Sequence, residues 1–193
     1  IHGHAAEMPD IPYERQLDVH WTDVPPVLDG KMDDACWPAA AVAGDFRRLD
    51  QKHLPARQQS EVRLCYDAEN LYVFFWLHEA YIRKLQAGAP DDTRDAVDVN
   101  KDVVEIFLDP LRTKTRYFHF MTTPAAARYD ARISPESGRE IGTYTPEWAV
   151  AAHVGDEHWG VELRIPFAEL CFEGGFIGTP QPGDAWGVNF CRD

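Results

Sequence analysis

The chain has 193 residues, a length that suits one domain, and 45% of them are apolar, including 10 Phe, 7 Tyr and 6 Trp. That content excludes a disordered polymer and supports a sizeable core. Lys and Arg number 19 against 32 Asp and Glu, a formal charge of −13 that repels nucleic-acid backbones and anionic membranes. It remains compatible with neutral ligands and with cations.

Residues 1–20 are polar, contain prolines and read as an N-terminal arm or leader. Residues 21–193 read as the folded domain. It opens with Pro25–Trp37, where Asp29-Gly30 signals a turn and Asp33-Asp34 caps a very short helix before Trp37. Ala39–Ala43 then leads into a sheet. Val62, Leu64 and Tyr66 alternate with Arg63, Cys65 and Asp67, the period of a half-buried strand. Leu71–Leu77 is an apolar, aromatic-rich run that reads as a central strand, and a turn at 67–70 joins the two as a hairpin.

Residues 78–102 concentrate acid. Asp91, Asp92 and Asp95, with Glu79 folding back, offer the oxygen ligands that a structural Ca²⁺ takes, although a solvated acidic loop explains them as well. Val103–Leu108 and Tyr117–Met121 follow as strands, and then a long connection over 122–146 with one weak strand near Ala127–Ile133. Trp148–Val154 and Gly160–Ile165 alternate around a Gly155-Asp156-Glu157 turn; Pro166–Leu170 makes a single helical turn and Ala185–Cys191 a last strand. No helical-period segment stands out. Many short strands at even spacing predict an all-β sandwich or barrel.

No nucleotide loop, serine elbow or zinc-protease motif occurs. The four cysteines, Cys36, Cys65, Cys171 and Cys191, form no C-x-x-C pair, and both disulfides and buried thiols stay open. Glu105 interrupts a strand face otherwise made of Val103 and Phe107, which suits a ligand-facing carboxylate or a buried ion pair. Tyr117 and His119 share a face of the next strand. Trp76, Tyr81, Trp148 and Trp159 are candidate platforms for sugar rings, while Trp37 and Trp186 read as core.

Five segments, in order, carry a resemblance. They are Leu28–Trp37, Val62-x-x-x-Tyr66-Asp67-x-x-x-Leu71-Tyr72-Val73, Asp102–Asp109, Trp159-x-x-Glu162-x-x-Ile165-Pro166-Phe167-x-x-Leu170 and Gly183-x-x-Trp186-Gly187-x-Asn189-Phe190. Together they resemble the family 9 carbohydrate-binding modules and their wider relatives. The resemblance implies a jelly-roll-like β-sandwich of two antiparallel sheets, non-catalytic and appended to a secreted, periplasmic or cell-surface glycan-processing protein. It also implies a structural calcium, a sugar clamped between two tryptophans, and a hydroxyl-accepting glutamate at Glu105. Val99 stands at the first clamp position and His119 at that of a sugar-bonding arginine; the second clamp tryptophan and the closing strand would follow Asp193.

Glycan binding at a modified site built from Glu105, His119, Trp76 and Tyr117 is therefore the leading expectation. A structural or protein-contacting domain without sugar binding is the first alternative. A glycoside hydrolase, pairing Glu105 with Asp102 or Glu162, is the second.

Overall fold

The computed structural model describes residues 15–51, 54–85, 94–95, 97, 101–172 and 175–193. Its strands are β1 (His20–Trp21), β2 (Ala41–Ala43), β3 (Ser60–Tyr66), β4 (Asn70–His78), β5 (Val104–Asp109), β6 (Tyr117–Thr122), β7 (Arg128–Ser134), β8 (Gly138–Ile141), β9 (Ala149–Val154), β10 (His158–Pro166), β11 (Cys171–Phe172), β12 (Gly175–Phe176) and β13 (Gly187–Arg192). One sheet runs β3-β4-β10-β9, with β1 and β2 both on the free edge of β3. The other runs β13-β5-β6-β7-β8, and β11 with β12 forms a small ribbon. Only the two-residue β1 pairs in parallel; every other pairing is antiparallel.

The alternation read from sequence decides which face each sheet buries. Val62, Leu64, Val73, Phe75, Leu77, Trp159, Val161, Leu163 and Ile165 point inward from the first sheet. They meet Val104, Ile106, Leu108, Phe118 and Phe120 from the second. Burying such side chains contributes roughly 1.5–3 kcal/mol each, and this layer is the main source of stability. The structure is thus an all-β sandwich of two antiparallel sheets with jelly-roll character.

The weak strand expected near Ala127–Ile133 is in fact a full strand, β7, and β8 follows it in the same connection. Its inward residues are polar, which hides the alternation. Arg128 Nη1 donates to the Trp148 carbonyl at 3.0 Å, Arg132 Nε to Glu140 at 2.6 Å, and Asp130 accepts from Trp148 Nε1 at 2.7 Å and Arg94 Nη2 at 2.7 Å. Leu17 and Val19 already pack against the core, and His20 pairs with Cys65.

The first and fourth sequence segments turn out to be one structural unit. Glu162 on β10 is fully buried and accepts from the Asp29 N–H (2.7 Å), the Gly30 N–H (2.8 Å) and Trp37 Nε1 (2.9 Å). Burial pushes its pKa up, and these three donors pull it back. The turn can lie this close only because two glycines face each other. Gly30 has φ of 81°, and a Cβ there would meet the His153 nitrogen at 2.4 Å; a Cβ on Gly160 would meet the Gly30 carbonyl at 2.2 Å.

Glu162→Gln replaces one acceptor oxygen by a donor that faces N–H groups, and should cost about 2 kcal/mol. Urea denaturation reads this as a lower midpoint with an unchanged slope. An unchanged midpoint would show that the carboxylate does not hold the turn.

Candidate functional site

The outward face of the β13-β5-β6-β7-β8 sheet brings the sequence candidates Glu105, His119 and Tyr117 together. Strand alternation puts Glu105 and Phe107 of β5, and Tyr117, His119 and Met121 of β6, on this face. Phe107 lies directly across from His119 in the ladder, and their rings stack at 4.2 Å with planes 14° apart. Tyr117 meets Phe107 edge-on at 6.0 Å, and Tyr129 of β7 meets His119 edge-on at 5.2 Å.

Glu105 Oε2 lies 2.6 Å from His119 Nε2. A carboxylate only accepts, so Nε2 carries the proton in this bond. His119 is almost wholly enclosed, with 6% of its side chain exposed, against 16% for Glu105. Its Nδ1 is buried without a partner among the described residues. The imidazole therefore sits inside the aromatic wall, and the carboxylate sits at its rim. The partner that Glu105 finds is a histidine of the neighbouring strand.

On the other side of β5, Asn189 of β13 pairs with Phe107 and Cys191 with Glu105. The Cys191 thiol is pushed up to about 11, by burial first and then by the Glu105 charge. Asp193 also reaches the carboxylate: its pKa is raised by burial, by the Glu105 charge and by a hydrogen bond to Glu105. Below these groups Val103, Met121, Tyr129 and Ala131 form a small apolar floor, with Val97 packed on it. Phe107 was placed on the Glu105 face from sequence, whereas Asn189 and Tyr129 were not proposed for the site; only the strand register places them beside Glu105.

Trp76 is not part of this face. It projects from the opposite sheet, where the His158 ring stacks on it at 3.7 Å and 17°. The other proposed platforms also move. Trp148 and Trp159 are core residues at 2% and 0% exposure, because one caps the inner face beside Phe120 and the other points inward from β10. Tyr81 is exposed at 66%, with Lys84 Nζ 5.2 Å from its ring centre.

Of the proposed calcium ligands, Asp91 and Asp92 lie outside the described residues. Glu79 is already engaged: its oxygens accept from Gln58 Nε2, the Tyr81 N–H and Arg192 Nη2 at 2.8–3.0 Å. Asp95 Oδ1 lies 3.3 Å from the Asp130 N–H it accepts from. A donor-filled carboxylate beside a guanidinium does not suit a hard cation. Among the described residues no three His, Cys, Asp or Glu side chains converge on a metal position.

The Glu105–Glu162 pair offered for hydrolysis does not form either. Glu162 belongs to the opposite sheet and is occupied by the Asp29–Trp37 segment. A cleft of about 130 Å³ near β8 is lined by Arg116, Arg132, Glu136 and Glu140, but their charges pair internally as Arg116–Glu136 and Arg132–Glu140.

Two antiparallel sheets packed face to face define a jelly-roll-like β-sandwich type of protein. A family model described as carbohydrate family 9 binding domain-like matches residues 28–191, and the chain belongs to that family, one of non-catalytic carbohydrate-binding modules. No curated protein matches the sequence. Among solved structures, the fold is similar to a family 9 carbohydrate-binding module from Caldicellulosiruptor kristjanssonii in complex with cellotriose (17% identity, TM-score 0.58, covering 89% of this chain and 73% of that one). A family 9 carbohydrate-binding module from the same organism in complex with glucose gives 17% identity and a TM-score of 0.57, covering 89% and 75%. A protein from Bacteroides uniformis taken to bind carbohydrate gives 15% and 0.61, covering 80% and 72%. At these identities the likeness speaks for the fold.

The Trp76–His158 stack generates a pH prediction. His158 has its pKa lowered, by burial first, then by the neighbouring His153 and His78 charges, with Asp156 opposing. A depressed histidine adds stability above its ordinary value, and that contribution is lost as pH falls through the lowered one. Melting temperature should therefore drop as pH falls below the ordinary histidine value, and His158→Phe, which keeps the stack, should flatten part of that drop. An identical slope in the variant would clear His158 of the effect.

Proposed function

We propose that the outward face around Glu105 binds a neutral saccharide, and that the module serves a larger, extracytoplasmic glycan-processing protein. The observation that carries this reading is the Glu105–His119 pair on the outward face of a family 9 sandwich, its imidazole enclosed by Phe107 and Tyr129 and its carboxylate at the rim. Sugar recognition needs acceptors fixed in place for hydroxyls and a flat apolar surface for the C–H face of the ring. Glu105 supplies the acceptor, and its side chain is pre-set because His119 is itself wedged by two rings. Asn189 adds an exposed amide one strand away, and Tyr117 and Phe107 the apolar wall.

The surface charge fits such a partner, since −13 does not oppose an uncharged ligand. Among the described residues no helix is long and apolar enough to cross a membrane. Glucose and cello-oligosaccharides are the first ligands to try, because similar family 9 modules from Caldicellulosiruptor kristjanssonii have been seen with glucose and with cellotriose.

Calorimetric titration with glucose, cellobiose and cellotriose, run with calcium and with chelator, should give a saturable isotherm. Glu105→Ala should weaken it at least about tenfold, equivalent to about 1.4 kcal/mol, with the melting transition preserved. Trp76→Ala should leave affinity unchanged, because that indole lies on the other sheet. Silence across the sugar panel from a cooperatively folded sample would sink the reading and favour a structural or protein-contacting domain.

A further inference from the structure

Two of the four cysteines lie together in a part of the molecule that the sugar face does not use. Cys36 (7% exposed) and Cys65 (2%) belong to one packed cluster on the outward side of the β3-β4-β10-β9 sheet, with Trp37, Ala40, Tyr72 and Phe74. We propose that Cys36 and Cys65 form a disulfide that ties the segment before β2 to β3.

The backbone on both sides is fixed independently of the sulfurs. Trp37, next to Cys36, is held through its indole by Glu162 at 2.9 Å and through its carbonyl by Arg63 Nη1 at 2.8 Å. Ala41 then pairs with Leu64, the residue before Cys65. Cys65 is fixed in turn by ladder pairing with Tyr72. Alternation aims its side chain outward, toward the segment that carries Cys36. The two side chains pack in that one cluster as free thiols, and burial raises both pKa values. Both segments are held in place before any bond forms, so the pairing needs only the two sulfurs to meet within the cluster they already share.

The other two cysteines have no such neighbour. Cys171 lies in the β11–β12 ribbon and Cys191 on the face bearing Glu105. The pairing is therefore specific, one of the several open to four cysteines.

Chemically, the Cys36 thiolate attacks a small-molecule disulfide such as oxidised glutathione and expels one thiolate. The Cys65 thiolate then attacks the mixed disulfide and expels the second. One S–S bond forms in the protein and one is reduced in the oxidant, which takes up two electrons and two protons. The raised thiol pKa values make both groups slow nucleophiles once packed, so exchange belongs to the folding chain before the cluster closes. Afterwards the same burial shields the bond from thiols in solution.

The test uses the unaltered protein refolded in a mixture of oxidised and reduced glutathione, then unfolded in acid, alkylated and digested for mass spectrometry. The expected product is lighter than the fully reduced chain by two hydrogens, with one cross-linked peptide joining Cys36 to Cys65 and alkylated Cys171 and Cys191. Four alkylated cysteines, or a link that includes Cys171 or Cys191, would overturn the proposal. A parallel melt with and without strong reductant should show the higher transition for the oxidised sample, because the bond restricts the unfolded chain.

Discussion

A fully buried carboxylate must be surrounded by donors, and the position of Glu162 dictates where much of the remaining chain can go. It sits on the outward face of β10, a strand whose inward residues are core, so its donors had to come from elsewhere. They come from a loop more than a hundred residues earlier: two successive N–H groups at the Asp29-Gly30 turn and the indole of Trp37. Once that loop is docked, Trp37 packs on Phe74 at 5.5 Å, β2 is delivered to the edge of β3, and Cys36 arrives beside Cys65. Hydrophobic burial would tolerate several positions for such a loop. Three directed hydrogen bonds to one group tolerate one.

The second sheet uses the same kind of contact. Asp130, inward-facing on β7 and fully buried, takes the indole of Trp148 and the guanidinium of Arg94. Burial raises its pKa against these partners, so the carboxylate is costly there on its own. A second buried ion pair joins the sheets at their edge, where Arg192 of β13 bonds Glu79 and the His78 carbonyl. Pairs of this sort contribute little net stability compared with apolar packing. Their effect here is positional: each ties a segment of irregular backbone to one strand at one register.

How far the sequence could be read follows from the same division. Strands with inward apolar residues, β3, β4, β5, β6 and β10, were legible because period-two alternation is a direct image of a half-buried sheet. β7 was faint because Arg128, Asp130 and Arg132 occupy its inward positions, and their partners are remote in sequence. Glu105 stood out as an acid on an apolar face, and its parity with Phe107 was correct. Trp76 was misassigned to that face because alternation says which side of its own sheet a residue takes, but not which sheet a strand joins. Trp148 and Trp159 looked available for sugar because composition cannot distinguish an indole that caps a core from one that faces solvent. Cys36 and Cys65 are 29 positions apart and gave no local signal. Only the docking of the Trp37 turn brings them together.

The division also bears on the sugar face. Glu105 and His119 are on adjacent strands, joined by one short bond, and His119 gains its orientation from Phe107 and Tyr129 rather than from any buried network linked to the core. The sandwich beneath is held by contacts that do not involve this face. Side chains there can therefore change without disturbing the fold, provided the inward residues between them stay apolar. A histidine at position 119 does not take the place of an arginine reaching toward ligand; it lies back against the wall and is hydrogen-bonded to Glu105 through Nε2. What remains for the ligand is a fixed acceptor at the rim of an aromatic recess. On the reading proposed above, that arrangement favours a hydroxyl donor over an anion, which both the carboxylate and the −13 charge of the chain repel.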